Sequence, residues 1–159
     1  MKTLVIGLGN PILTDDGVGV KVAKQVEDRI ASLPQSDITV TEASVGGLRL
    51  MELMSGYDRV ILIDALILNN GSKIGTIHKM SLEDLRTISP TQHSASAHDT
   101  SLVTALEAGR LLGLSLPDDI VIFAIEVENV SEFSDTPTPA VAESIPDATR
   151  AVMDELNRT

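Results

Sequence analysis

Gly7-Leu8-Gly9-Asn10-Pro11-Ile12-Leu13-Thr14-Asp15-Asp16-Gly17-Val18-Gly19 decides how the rest of the chain is read. It follows the apolar run Leu4-Val5-Ile6, which reads as a buried strand. It precedes Val18, Val22, Val26 and Ile30, whose four-residue spacing keeps one helix face apolar. A short loop of Gly, Asn and Pro therefore joins a strand to a helix, in backbone shapes that most residues avoid, and it carries two adjacent acids. A dinucleotide fingerprint would need Gly-x-Gly-x-x-Gly, but Ile12 stands where the third glycine belongs. Two carboxylates at the helix start would also repel a pyrophosphate, so that reading is rejected. A helix cap uses one of Thr14, Asp15 and Asp16. The second acid is then surplus, and a surplus carboxylate at a strand edge suggests a cation or a catalytic role.

Working outward, strand and helix signals alternate. The expected elements are a strand at about 2–8, a helix at about 17–33, the half-buried strand Ile38–Glu42 and a short helix Leu48–Met54. Val60-Ile61-Leu62-Ile63 is a continuous apolar run, the mark of a central parallel strand, and it ends at Asp64. Lys73–Met80 reads as a strand with Gly75 inside it, and Ser81-Leu82-Glu83-Asp84 as the start of a capped short helix. Residues 87–98 read as loop, about 99–112 as helix, Ile120–Ile125 as the last buried strand and 126–137 as an acidic loop. Thr138-Pro139 opens a final helix, Thr as cap and Pro in the first turn, which Pro146 should kink or split. This alternation predicts a three-layer α/β/α domain with a twisted, mainly parallel five-stranded sheet, occupying residues 1–159 as a single unit.

The composition narrows the function. A 159-residue chain of this kind buries about 68–70% of its unfolded surface and needs no covalent staple. It has no cysteine, which excludes disulfides, thiolate metal sites and a Cys nucleophile. The formal net charge of -11, the absence of a basic run and of Trp, and only one Tyr and two Phe argue against a nucleic-acid partner. The short apolar N-terminal run ends at glycines, too soon for a signal peptide or a membrane span, so a cytoplasmic protein without membrane association is expected.

Ligands of open α/β sheets sit beyond the carboxyl ends of the strands. That edge should hold the Asp15-Asp16 loop, Asp64 and the entrance to the helix that follows His93 and His98. Asp16, Asp64 and one histidine then form an oxygen, oxygen, nitrogen set suited to a divalent ion of the zinc or nickel kind, with positions open for water or substrate. Set against this is the plainer reading in which a strand-end Asp and a loop His are ordinary surface groups. Of the histidines, His98 lies at the helix entrance, where a ring is fixed by the first turn; His93 lies mid-loop, and His78 reads as a plain exposed strand residue. Asp15 is expected to cap the helix or to orient the site. A phosphoacceptor receiver domain shares the acidic loop and the fold. It needs a Lys after the last strand, however, and here no Lys follows Lys79.

Gly7-x-Gly9-Asn10-Pro11-x-Leu13-x-Asp15-Asp16-Gly17-x-Gly19 resembles the signature of the hydrogenase maturation endopeptidases, which process the large subunit of nickel–iron hydrogenases. Ile63-Asp64-Ala65 resembles that family's second acid at the end of a buried strand. Ser96-Ala97-His98, with Leu102 and Leu106, resembles its histidine segment, and Thr138-Pro139-x-Val141 its last helix start. Ser44 stands where relatives often carry Gly, and Asp16 where they often carry Glu. The resemblance implies an endopeptidase that removes the C-terminal extension of the large-subunit precursor after nickel insertion. Asp16, Asp64 and His98 would be both catalytic and metal-binding, toward nickel supplied by the substrate or, alternatively, zinc. Water would be the nucleophile, since no Ser-His-acid order or Cys is available. A monomer is expected. The alternative is a non-proteolytic metal-binding or chaperone module acting on the same precursor.

Overall fold

The computed structural model describes residues 1–34, 37–68, 70–88 and 97–158 and, for residues 88 and 97–101, the backbone alone. Among the described residues five strands and five helices follow one another: β1 (Thr3–Leu8), α1 (Val18–Ile30), β2 (Ile38–Ala43), α2 (Gly47–Met54), β3 (Arg59–Leu66), β4 (Ile77–Ser81), α3 (Leu82–Ile88), α4 (Ala97–Leu111), β5 (Asp119–Glu126) and α5 (Pro139–Leu156). A 3-10 turn, Thr14–Gly17, leads into α1. The strands form one sheet in the order β2-β1-β3-β5-β4, parallel throughout except for β4, which runs antiparallel to β5.

The layers follow from strand alternation. Leu4, Ile6, Leu8, Val60, Leu62 and Leu66 point to one face and pack with Leu50 and Met54 of α2 and Leu102 and Leu106 of α4. Val5, Ile61, Ile63 and Ala65 point to the other and pack with Val22 and Val26 of α1 and Val141, Ala148 and Val152 of α5. β1 and β3 are buried along their whole length because helices cover them on both sides. The predicted α/β class, the three layers and the five-stranded, mainly parallel sheet are all present.

Four expectations change. Residues 73–76 are a turn, not strand: Gly75 takes a φ of +88, a conformation closed to extended pairing, and β4 begins only at Ile77. β3 does not stop at Asp64 but continues to Leu66, because Ala65 and Leu66 still pair with β5. α4 begins at Ala97, so His98 belongs to its first turn and not to the preceding loop. α5 runs unbroken through Pro146, its buried face spanning Val141 to Leu156; packing of that stripe against the sheet outweighs the one backbone bond that proline cannot make. The capped helix at Ser81 is as predicted. The Asp84 carboxylate accepts from the Ser81 N–H at 2.8 Å while the Ser81 hydroxyl accepts from the Asp84 N–H at 3.1 Å.

A buried ion network ties α5 to the sheet. Arg59 donates to the Glu155 carboxylate and to its carbonyl oxygen at 3.1 Å, and its Nε lies 2.8 Å from Asp119. Lys79 Nζ reaches the other Glu155 oxygen at 2.6 Å. Burial pushes the Glu155 carboxyl upward, but the Lys79 hydrogen bond and the charges of Lys79, Arg59 and Arg158 outweigh it and leave the group below its ordinary value. A depressed folded value means that its stabilisation is complete above the unfolded pKa of about 4.3 and is lost as pH falls through the folded one. Glu155→Gln, which takes from the buried Arg59 one of its two carboxylate partners, should cost about 2 kcal/mol in urea denaturation at pH 7. It should also flatten the stability–pH curve below pH of about 4 relative to the unaltered chain; equal slopes would remove Glu155 from the acid response.

Candidate active site

The loop after β1 is shaped by how closely chain segments pass. A Cβ on Gly7 would lie 2.5 Å from the Gly19 carbonyl oxygen, and one on Gly19 would lie 2.2 Å from that of Ile63, so α1 can start only where both are glycine. Gly9 has a φ of +130, and a Cβ there would meet the Asp16 carbonyl oxygen at 1.8 Å. Asn10 holds the following turn, its side-chain oxygen accepting from the Ile12 N–H at 3.2 Å and its carbonyl from the Leu13 N–H at 3.1 Å. The 3-10 turn that carries Asp15 and Asp16 is thereby pressed against β3 at the carboxyl edge of the sheet. Thr14, a β-branched residue, sits at a φ of 54, a conformation that costs energy and persists only when its surroundings enforce it. The Thr14 N–H donates to the Ser134 carbonyl at 2.9 Å and its hydroxyl to that of Glu132 at 2.6 Å.

The two adjacent acids have different surroundings. Asp15 is fully buried. Its carboxylate accepts from the N–H groups of Glu128 (3.2 Å), Asn129 (3.0 Å) and Thr138 (2.7 Å) and from the Thr138 hydroxyl. It thus caps no part of its own helix; it anchors the 127–138 loop and the start of α5. Thr138 stands at the N-cap of α5 as predicted, but its hydroxyl donates to Asp15 and makes no cap hydrogen bond to its own helix. Asp16 is half-buried, and its Oδ2 accepts from the Asn10 N–H at 2.8 Å. Its Oδ2 lies 3.6 Å from where a Cβ on Gly9 would stand, and the Gly9 carbonyl accepts from the Ser44 hydroxyl at 2.6 Å.

Asp64 is 4% exposed, and its Oδ1 accepts from the Ala65 N–H at 2.8 Å. Alternation places it with Leu62 and Leu66 on the face covered by α2 and α4. α4 starts at this edge, since it must end at the opposite one to enter β5, so His98 in its first turn stands at the same rim as Asp64 and the 3-10 turn. The topology thus puts the backbone of all three residues at the carboxyl edge of the sheet. Among the described residues no three His, Asp, Glu or Cys side chains form a metal-holding group; the His98 side chain lies outside that description, as does all of His93. The Asp16 and Asp64 oxygens with an imidazole nitrogen remain a donor set that fits a divalent ion by its chemistry.

His78 departs from expectation. It is not a plain exposed residue: its Nε2 is buried 3.6 Å from Oε2 of Glu126, itself a buried acid whose Oε1 accepts from the Leu68 N–H at 3.0 Å. Neither Nε2 nor Oε2 has a hydrogen-bond partner among the described residues. Sequence offered no signal for this pair, because β4 runs antiparallel and sets His78 opposite Ala124, two residues short of Glu126.

Fold and site define an α/β protein that presents carboxylates, with no thiol, at the carboxyl edge of its sheet. The sequence profile of the hydrogenase maturation protease family matches residues 3–155. The hydrogenase 2 maturation protease of Escherichia coli strain K12 is 27% identical over 159 residues, covering 100% of this chain and 93% of that protein. A hydrogenase expression/formation protein of Bradyrhizobium diazoefficiens is 25% identical over 144 residues, 91% of this chain and 72% of its own length. Among solved structures, the hydrogenase maturating endopeptidase of E. coli superposes with a TM-score of 0.82 at 25% identity, covering 98% of this chain and 92% of that one. A [NiFe] hydrogenase maturation protease from Thermococcus kodakarensis, at 21% identity and a TM-score of 0.72, shares the fold over 99% of this chain and 100% of its own. The chain belongs to the hydrogenase maturation protease family. Endopeptidase processing of a hydrogenase large subunit at its C-terminus, the activity implied by the sequence resemblance, is the activity that goes with this membership. No helix among the described residues is long and apolar enough to cross a membrane.

Proposed function

We propose that this protease acts on a large-subunit precursor already loaded with nickel, and that Asp16, Asp64 and His98 are the residues that meet the ion and the scissile peptide. The observation that carries this reading is the shared rim: the 3-10 turn with Asp16, the buried carboxylate of Asp64 and the first turn of α4 stand at one edge although 82 residues separate the outer two. A divalent ion held there supplies polarisation of a carbonyl or activation of a water molecule. Asp16 contributes an oxygen fixed by the Asn10 N–H, and Asp64 one fixed by the Ala65 N–H. His98, at a helix start, contributes a nitrogen whose place in the chain is set by α4. With no Cys in the chain, water is the nucleophile we assign. The ion arrives with the substrate, zinc being the alternative occupant, and the enzyme works as a cytoplasmic monomer.

The test is mass spectrometry of precursor incubated with the protein, with and without nickel loading. Cleavage of the nickel-loaded form alone supports the reading; equal cleavage of both forms removes the ion from recognition. Binding without a mass change would favour a chaperone role. Between the histidines, His98→Ala should lower processing about 10³-fold or more, the loss of several kcal/mol at the reacting centre, while His93→Ala should stay within a few-fold of the unaltered enzyme. The reverse order of effects would reassign the imidazole.

A further inference from the structure

We infer that the free edge of β2 is the docking track for the substrate, and that the C-terminal extension of the precursor binds there as an added, extended strand. This rests on the reading above in which the peptide is cut beside Asp16.

Among the described residues β2 is the outermost strand of the sheet, paired only with β1. The Asp37 and Ala43 carbonyls accept from the Thr3 and Gly9 N–H groups of the β1 side, at 2.9 and 3.0 Å. With a period of two, residues 37, 39, 41 and 43 face β1, and Ile38, Val40 and Glu42 turn their N–H and C=O groups outward. No described residue pairs with those outward groups. Such edges are ordinarily blunted by Lys, Pro or a covering segment. The opposite edge strand, β4, is blunted: it carries Lys79, ion-paired to Glu155. β2 reads Ile-Thr-Val-Thr-Glu-Ala, strand-favouring residues with neither Lys nor Pro. Natural sheets use an edge of this kind for strand addition, in which main-chain hydrogen bonds hold the peptide and alternate side chains enter flanking grooves.

Grooves of that kind are present. One, of about 320 Å³, runs between α1 and β2 over Lys24, Glu27, Val40 and Glu42. It shares its Val20 and Glu42 walls with a second, of about 180 Å³, that ends at Gly9 and Ser44. The track therefore leads to the residue that abuts Asp16, since a Cβ on Gly9 would lie 3.6 Å from Asp16 Oδ2. A six-residue segment added along β2 spans about 20 Å and brings the bond at its end to the carboxylate rim. The occupant we assign is this tail because the family's substrate is a polypeptide cut near its C-terminus, and an extended tail is the form of chain that an open edge accepts.

The test uses Glu42→Pro, which deletes one outward N–H and leaves the inward ladder intact, with Glu42→Gln as control for the lost charge. With nickel-loaded precursor, Glu42→Pro should raise KM about tenfold above the value for Glu42→Gln, which carries any effect of the lost charge, at little change in kcat, the loss of a net hydrogen bond or so at the edge; equal KM values for the two variants would overturn the track. Unchanged KM in folded Glu42→Pro overturns the track while leaving the Asp16 site standing; the site itself fails only if Asp16→Asn keeps its kcat. Should Glu42→Pro not fold, amide exchange decides. A synthetic peptide of the C-terminal extension, added to the Asp64→Asn protein, should slow exchange at Ile38, Val40 and Glu42. Binding of that peptide with no slowing at those three amides would overturn the proposal. So would slowing that appears without peptide and scales with protein concentration, since it would give the edge to a second copy of this chain.

Discussion

Asp64→Asn is expected to abolish processing of the nickel-loaded precursor, by about 10³-fold or more, with the fold intact. Asparagine keeps the size of the side chain and the oxygen that accepts from the Ala65 N–H, so the packing between Leu62 and Leu66 is undisturbed. What is lost is the negative charge that a divalent ion requires of its ligand, an interaction worth several kcal/mol at the reacting centre, at tenfold in rate per 1.4 kcal/mol or so. Mass spectrometry of the precursor, beside a thermal melt of the variant, separates the two effects. A variant that melts normally and cleaves normally would take Asp64 out of the site. Asp16→Asn should behave in the same way, because the Asn10 N–H needs only an acceptor, which the amide retains.

Its neighbour should do the opposite. Asp15→Ala is expected to cost about 3–5 kcal/mol of stability, since it strands the buried N–H groups of Glu128, Asn129 and Thr138 at about 1–3 kcal/mol each, with partial relief from water. For a domain of this size that lowers Tm by about 10 °C or more. Whatever fraction remains folded should have a loosened 127–138 loop and a Thr14 freed from its strained φ. Calorimetry on Asp15→Ala and Asp16→Asn side by side makes the comparison: a large melt shift for the first and almost none for the second. Equal shifts would mean that the two acids do not divide anchoring from chemistry as their hydrogen bonds suggest.

That division could not be read from the sequence. Asp15 and Asp16 look interchangeable there, and the partners that distinguish them lie more than 110 residues downstream for Asp15 and six upstream for Asp16. What was legible is local or periodic. The apolar run at Val60–Ile63 marks a strand covered on both faces, and the glycines flanking the acidic loop mark a tight strand-to-helix passage. Strand–helix alternation then puts both Asp16 and Asp64 at the carboxyl edge. Where the reading went astray, a tertiary term had prevailed. Burial of the α5 stripe kept one helix across Pro146, the left-handed Gly75 cut short the strand expected from Lys73, and the antiparallel entry of β4 half-buried a histidine that looked exposed. The onset of α4 could be read from sequence to within two residues, so His98 falls in its first turn and not just before it, whereas nothing in sequence shows that no described residue pairs with the outer edge of β2.

The assignment of Asp16, Asp64 and His98 rests most directly on where a divalent ion sits. Crystals of the protein soaked in nickel or zinc, with the ion located by its anomalous scattering, should show it bonded at about 2.0–2.2 Å to a carboxylate oxygen of Asp16, one of Asp64 and a ring nitrogen of His98. An ion bound elsewhere, with these three side chains directed apart, would contradict it.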